Sequence, residues 1–384
     1  DELNKQSNKI ANYFISIGIK RYDVVGIFNT KEPVGYASML ACLKIGAIYT
    51  NIDEENPLVR IESIIDTCHP KILISDNNLS VNVSINDLSV KKNLLFLKLD
   101  TEALDECSDE NLEDSKKIIG TTPAYIMFTS GSTGKPKGVA ISHANILSFL
   151  GWSIDRYEVT SSDIFAQVSP MYFDNSVFDF YTALFSGASI VPIKREIATS
   201  PLELVRFVDS MQCTIWFSVP SFLVYLQTMR VLNENTFQSI RIFTFGGEGF
   251  PKNELKKFFN LYAKQAKLIN VYGPTEGTCI CSSYDISKKD FEDMSSLAPL
   301  GYINPNFEYM IVDESMRKVE RGEKGELCLV GPNVALGYYN DLDRTSQNFI
   351  QNQKIKTHRD IVYRCGDIVY EKDGLLWFAG RIDN

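Results

Sequence analysis

Phe128-Thr-Ser-Gly-Ser-Thr-Gly-Lys-Pro-Lys-Gly138 continues the apolar run Pro123-Ala-Tyr-Ile-Met-Phe128. A short buried strand feeding a loop of Gly, Ser, Thr and Lys presents backbone N–H groups, hydroxyls and ammonium charge to a polyphosphate. The spacing excludes a Walker A loop, which needs Gly where Thr129 stands and Ser or Thr where Pro136 stands. Pro136 also bars the helix that such a loop must open into. The loop is therefore read as a phosphate cradle of another kind, against the plain alternative of a flexible Gly/Ser surface loop.

Outward from this strand and loop, apolar runs of strand length alternate with helix-period segments. Val24–Phe28, Lys71–Ser75, Asp163–Val168, Ala188–Ile193, Thr214–Val219, Arg241–Phe245 and Lys267–Val271 read as strands. Pro33–Lys44, Ser176–Phe185, Pro201–Met211 and Pro251–Ala263 read as helices. Continuous apolar strands between helices predict an α/β fold of two layered, mostly parallel sheets flanked by helices. Ligands of such sheets gather beyond the carboxyl ends of the strands. The loops 129–138, 218–222, 246–249 and 272–276 all follow strands and are expected to converge on one cleft. Beyond residue 298 short runs separated by turns replace the helices, with Lys372-Asp-Gly374 as a hairpin signal. The expected division is an α/β core over residues 1–298 and a small antiparallel, β-barrel-like unit over 299–384. The polar span 77–119 reads as a surface excursion that holds at most an edge strand at Leu94–Leu97.

At 384 residues the chain is too long for one ordinary core. With 44% hydrophobic and 23% charged residues its composition is that of a globular protein. A net charge of −9 argues against a nucleic-acid footprint. No apolar stretch is long enough to span a bilayer, so no membrane role is expected. The eight cysteines are scattered without C-x-x-C pairs, which fits reduced core thiols in a cytoplasmic protein.

The 128–138 string resembles the phosphate loop of the adenylate-forming superfamily, which includes acyl-CoA synthetases, luciferases and the adenylation domains of nonribosomal peptide synthetases. Leu43-Lys-Ile-Gly-Ala-Ile-Tyr49, Phe173-Asp-Asn-Ser176, Asn270-Val-Tyr-Gly-Pro-Thr-Glu276, Gly325-Glu-Leu-Cys-Leu-Val-Gly331, Tyr363-Arg-Cys-Gly-Asp367 and Gly380-Arg-Ile-Asp383 are similar to further family motifs, in family order. The opening residues resemble the middle of the family's first motif, and the end resembles the hinge to a C-terminal lid domain absent from this chain. In the family that lid carries a catalytic lysine.

The resemblance implies ATP and Mg²⁺ as cofactors. A carboxylate attacks the α-phosphorus of ATP to give an acyl-adenylate and pyrophosphate, and a thiol then takes the acyl group. Carboxylate and triphosphate repel one another, so this chemistry needs cations and in-line positioning more than acid–base groups. By resemblance Thr129, Ser130, Ser132, Thr133, Lys135 and Lys137 surround the β- and γ-phosphates, with Gly131, Gly134 and Gly138 permitting the loop. Thr275 and Glu276 match the α-phosphate and Mg²⁺ contacts, and with Lys135 form the expected catalytic set. Gly246, Gly247, Glu248, Asn270, Val271 and Tyr272 match the adenine pocket, with Tyr272 stacking. Asp367 and Arg381 match ribose ligands, although Arg381 has the alternative of pairing only with Asp367 or Asp383. Asp383 matches the hinge.

Phe173-Asp-Asn-Ser176 separates the branches. In amino-acid adenylation domains its aspartate pairs with the substrate ammonium, and a buried Asp174 needs such a cation. The alternative is that Asp174 caps the following helix. The implied pocket is Asp174, Asn175, Phe178, Phe217, Phe243, Phe245, Val271, Cys279 and Ile280. Four phenylalanines imply a small substrate resembling glycine, alanine or proline; the alternative is an aromatic substrate stacked between the rings. The neighbourhood looks most like the D-alanine:carrier-protein ligase branch, except for Gly246 where that branch usually has Cys. The expected partners are a small amino acid and a phosphopantetheinyl carrier protein. An acyl- or aryl-CoA ligase, and a nucleotide-binding scaffold without catalysis, remain as alternatives.

Overall fold

The structure, a computed structural model, describes residues 1–76, 83–99, 104–129 and 135–382. The chain divides into two compact units. The first comprises residues 1–145, 170–173 and 335–345, and the second 146–169, 174–334 and 346–384.

The first unit is built on a seven-stranded sheet. Its strands are β1 (Val24–Phe28), β2 (Ile48–Ile52), β3 (Ile72–Ser75), β4 (Leu95–Lys98), β5 (Pro123–Thr129), β6 (Lys137–Ser142) and the late-returning β16 (Gly337–Tyr338). The order is β16-β6-β5-β2-β1-β3-β4. From β5 to β4 all neighbours are parallel, and β6 and β16 add antiparallel. β1, Val-Val-Gly-Ile-Phe, is buried throughout, as a parallel strand covered on both faces must be. The helix Pro33–Ile45 takes Pro in its first turn and stops at Gly46, whose φ of 70° gives a left-handed cap. The polar span holds the edge strand β4, preceded by the helix Val83–Lys91, where the sequence predicts only a surface excursion.

The second unit holds two sheets. One has β7 (Ile164–Gln167), β8 (Ser189–Pro192), β9 (Ile215–Ser218), β10 (Ile242–Gly246), β11 (Lys267–Tyr272), β12 (Ser282–Asp285) and β13 (Tyr302–Ile303), in the order β13-β12-β11-β10-β9-β7-β8. β8 to β11 run parallel, and β12 and β13 close the edge antiparallel. The other has β14 (Glu308–Val312), β15 (Gly325–Val330), β17 (Phe349–Gln351), β18 (Ile361–Lys372) and β19 (Leu375–Arg381). It is antiparallel as expected, but it is an open sheet and not a barrel. β18 is shared by β15, β17 and β19, and no ladder joins β14 to β17 or β19 among the described residues. Beyond residue 298 the described elements are strands and the helix Leu342–Asn348, whereas the contacts group the chain on another basis.

The expected helix after Asp174 contains a distortion. It runs as Asn175–Val177, a π-helical turn Phe178–Thr182, and Ala183–Ser186. Such turns widen the helix and concentrate at functional sites. Among the described residues no helix is long and apolar enough to cross a membrane. All eight cysteines are free, and no three His, Cys, Asp or Glu residues among those described are grouped to hold a metal.

Candidate functional site

In the first unit, Thr129 ends β5 directly opposite Lys137 on β6. The Thr129 hydroxyl oxygen is buried with no hydrogen-bond partner among the described residues. A buried hydroxyl without a partner is rare and calls for a ligand or water, which a phosphate oxygen suits. Lys137 reaches the Tyr338 hydroxyl at 3.2 Å, with its ammonium 5.0 Å from that ring's centroid. Lys135 is exposed. Ser130, Gly131, Ser132, Thr133 and Gly134 lie outside the described residues, as does the hinge candidate Asp383.

In the second unit the candidate residues gather beyond the carboxyl ends of β9, β10 and β11. Gly247, just after β10, has a φ of 91°, a left-handed turn that favours glycine. Glu248 turns back to accept the backbone N–H of Ser221 at 2.7 Å, tying the 246–249 loop to the helix Pro220–Thr228. Gly246 lies opposite Val271, and a Cβ there would fall 2.5 Å from the Val271 carbonyl oxygen.

Thr275 opens a short 3₁₀ turn, Thr275–Gly277, and its hydroxyl donates to the Asp174 carboxylate at 2.7 Å. Asp174 stands ahead of the helical segment without capping it through its side chain. Burial raises the Asp174 carboxyl to about 6, the Thr275 hydrogen bond opposes the rise, and the neighbouring Glu276 charge adds to it. Glu276 itself is buried. The Cys279 thiol lies against the Phe178 backbone N–H. Burial, with the charges of Asp174 and Asp179, pushes it well up, so it is a neutral wall and not a nucleophile.

Phe178 is fully buried from the π-helical turn, with its ring 5.5 Å from Phe217, 5.6 Å from Phe165 and 4.6 Å from Tyr157. Phe217 pairs in register with Thr244, whose hydroxyl donates to Tyr157 at 3.3 Å. Phe217, Thr244, Gly246 and Val271 thus share the sheet face that Phe178 covers. Asn175 opens the helical segment beside Asp174, and Ile280 is buried two residues before β12, where its carbonyl accepts the Asn304 amide at 3.0 Å.

Phe243 and Phe245 do not join this group. Strand side chains alternate, and both point to the opposite face. There Phe243 lies 5.0 Å from Phe258 and 5.0 Å from Tyr262, and Phe245 lies 5.0 Å from Phe250, in the aromatic core with Trp216. The expectation was out of phase by one residue. Thr244 and Gly246 hold the positions it sought, in register with Phe217 and Val271. Asn270 is likewise taken up elsewhere, its amide donating to the Pro299 carbonyl at 2.8 Å.

The third group forms around Asp367. One carboxylate oxygen accepts the Tyr272 phenol at 2.5 Å and the other accepts Arg381 at 2.9 Å. Arg381 therefore does pair with Asp367, as the alternative reading allowed. Burial, with the nearby Asp367, Cys365 and Cys281, pushes the Tyr272 phenol well up, so it remains a donor. The sequence reading missed Glu326 and Arg364 behind this group, although both lie inside quoted motifs.

Within each unit, then, the structure groups polar and charged residues suited to phosphate, carboxylate and hydroxyl ligands. A sequence profile described as AMP-binding enzyme matches residues 1–339. The chain belongs to that family, within the adenylate-forming superfamily, and is an enzyme of its ligase class. Among its relatives is the D-alanine–D-alanyl carrier protein ligase of Listeria monocytogenes serotype 4a, 30% identical over 384 residues, covering 100% of this chain and 73% of the relative. A four-domain nonribosomal peptide synthetase, holo-AB3403, bound to AMP and glycine, superposes with a TM-score of 0.84 at 27% identity, over 100% of this chain and 27% of that one. The N-terminal subdomain of Klebsiella oxytoca NpsA in complex with 3-hydroxyanthranilyl-AMSN does so with a TM-score of 0.83 at 25% identity, over 99% and 92%.

Proposed function

We propose that this enzyme activates a small amino acid with ATP, forming an aminoacyl-adenylate and pyrophosphate, and then passes the aminoacyl group to the phosphopantetheine thiol of a carrier protein. The observation that carries this reading is the Asp174 carboxylate, which accepts the Thr275 hydroxyl at 2.7 Å and stands ahead of the helical segment whose Phe178 ring packs on Phe217. A carboxylate so placed is costly unless a cation meets it, and an α-ammonium is that cation. The D-alanine of the Listeria relative and the glycine of holo-AB3403 agree with a small substrate.

In the first step a carboxylate oxygen of the amino acid bonds to the α-phosphorus while the bond to pyrophosphate breaks. Asp174 anchors the ammonium and Thr275 meets the α-phosphate. Thr129, Lys135 and Lys137 offset the charge of the outer phosphates, and Asp367, held by Tyr272 and Arg381, takes the ribose hydroxyls. Gly246, Gly247 and Val271 border the base. Magnesium, when bound, neutralises phosphate charge. Glu276 is the buried carboxylate that would hold it, and Mg²⁺ needs only one or two carboxylates besides substrate oxygens. In the second step the carrier thiolate attacks the acyl carbon and AMP leaves.

Exchange of labelled pyrophosphate into ATP by the full-length protein, run over amino acids, aryl acids and fatty acids, tests the reading. Exchange with small amino acids alone is expected. Exchange only with simple acids would favour the second reading, an acyl- or aryl-CoA ligase, for which the Phe178–Phe217 ring pair and the aryl ligand of the NpsA neighbour speak.

A further inference from the structure

Thr275 is presented by a turn with little freedom to move. A Cβ on Gly273 would fall 2.2 Å from the Cys279 carbonyl oxygen, so backbone is packed against backbone across the turn. Thr278 and Cys279 follow with φ of 58° and 75°, and the Thr278 hydroxyl is tied to the Asn333 carbonyl at 2.7 Å. Asp174 is fixed from the other side, where its carbonyl takes the Val177 N–H at 2.9 Å at the start of the helical segment. The 2.7 Å hydrogen bond between Thr275 and Asp174 thus joins two rigid elements.

A threonine hydroxyl has one proton and can give it to one acceptor at a time. With no ammonium present, that proton is on Asp174, beside the further negative charge of Glu276. A phosphate oxygen arriving next to Thr275 then meets oxygen lone pairs and two carboxylates. An ammonium on Asp174 changes both conditions. It neutralises the carboxylate that holds the proton, and the hydroxyl turns to the phosphate.

We propose that Thr275 couples the two substrates: its hydroxyl is retained by Asp174 until an amino acid binds, and is then released to the nucleotide phosphate. The inference rests on the amino-acid reading above. Coupling of this kind is reciprocal, so amino acid tightens nucleotide and nucleotide tightens amino acid by the same factor.

The test is calorimetric titration of AMP into this chain, without and with saturating glycine or D-alanine, in the native protein and in Thr275→Val and Thr275→Ser. Each amino acid is also titrated alone. In the native protein AMP affinity is expected to rise about fivefold or more when amino acid is present. Thr275→Val, similar in volume but without the proton, should bring the ratio close to one, and Thr275→Ser should restore it. A Thr275→Val ratio equal to the native one overturns the proposal, as does a native ratio of one when the amino acid binds by itself. Absence of heat from every amino acid, together with exchange only by simple acids, overturns the amino-acid reading instead and removes the coupling with it.

Discussion

Glu326 accepts the backbone N–H of Gly366 at 3.2 Å, one residue ahead of Asp367. Its other oxygen takes two donors of Arg364, at 3.0 and 2.6 Å. Glu326 is buried, and Gly366 bends the strand with a φ of 71°. The pair therefore sets where Asp367 points without touching ligand. Glu326→Gln keeps an acceptor but loses the charge, which weakens such contacts by about 1–2 kcal/mol. The expected outcome is a KM for ATP raised roughly tenfold, with kcat for amino-acid exchange nearly unchanged. Equal losses in both constants would mean that Glu326 acts on more than Asp367.

Phe217 and Phe243 sit on neighbouring strands yet face opposite ways, which separates specificity from stability. Phe217→Leu opens space beside Phe178, so the panel of amino acids supporting exchange should shift toward larger side chains. Phe243→Leu lies within the Trp216, Phe258 and Tyr262 cluster. It should cost about 1–2 kcal/mol in denaturant unfolding and leave the panel unchanged. A changed panel in Phe243→Leu would return that ring to the pocket.

The motifs were legible because their chemistry is local. Gly273-Pro-Thr-Glu276 and the 128–138 loop act through backbone shape, small residues and charges within a few positions, so residue identity nearly suffices. The alternation of strands and helices was likewise enough for the layered α/β fold. What escaped depends on contacts far apart in sequence. Whether Phe243 or Thr244 faces Phe178 turns on a one-residue phase, and a slip of one exchanges the faces of a strand. The sheet around β18 stays open because of which strands pair, which no single run encodes. Thr275 and Asp174 are 101 residues apart, so their bond was invisible although each residue had been singled out.

Gly273 offers a steric prediction. Its φ is not in the left-handed region, so conformational freedom is not the issue; space is. An alanine Cβ would meet the Cys279 carbonyl oxygen at 2.2 Å and the Ile280 Cα at 2.7 Å, and backbone cannot step aside as a flexible side chain can. Gly273→Ala should therefore destabilise by about 3 kcal/mol, the upper end for overpacking, and displace Thr275. Equilibrium unfolding reads the first effect, and loss of amino-acid-dependent exchange at saturating ATP reads the second.

Asp174 also predicts a pH dependence. Its carboxyl in the free protein is raised to about 6 by burial and the Glu276 charge, against the Thr275 hydrogen bond. Cys279, which faces both Asp174 and Asp179, stays a neutral thiol. An amino acid keeps its ammonium throughout pH 5–8, so only the ionised carboxylate offers it a partner. As pH falls through about 6 the carboxylate is lost, and kcat/KM for amino acid, which reports the free enzyme, should fall close to tenfold per pH unit below that point. Stability runs the other way. A raised carboxyl contributes stability that is fully present below its unfolded value near 3.8 and is lost as pH rises through about 6. Acidification from pH 7 to 5 should then weaken amino-acid use while this group favours the folded state. Asp174→Asn separates the two effects: its residual exchange should be flat across pH 5–7, and AMP should bind it without amino acid at least as tightly as it binds the native protein. A kcat/KM profile in Asp174→Asn with the same inflection near 6 would assign the titration to another group.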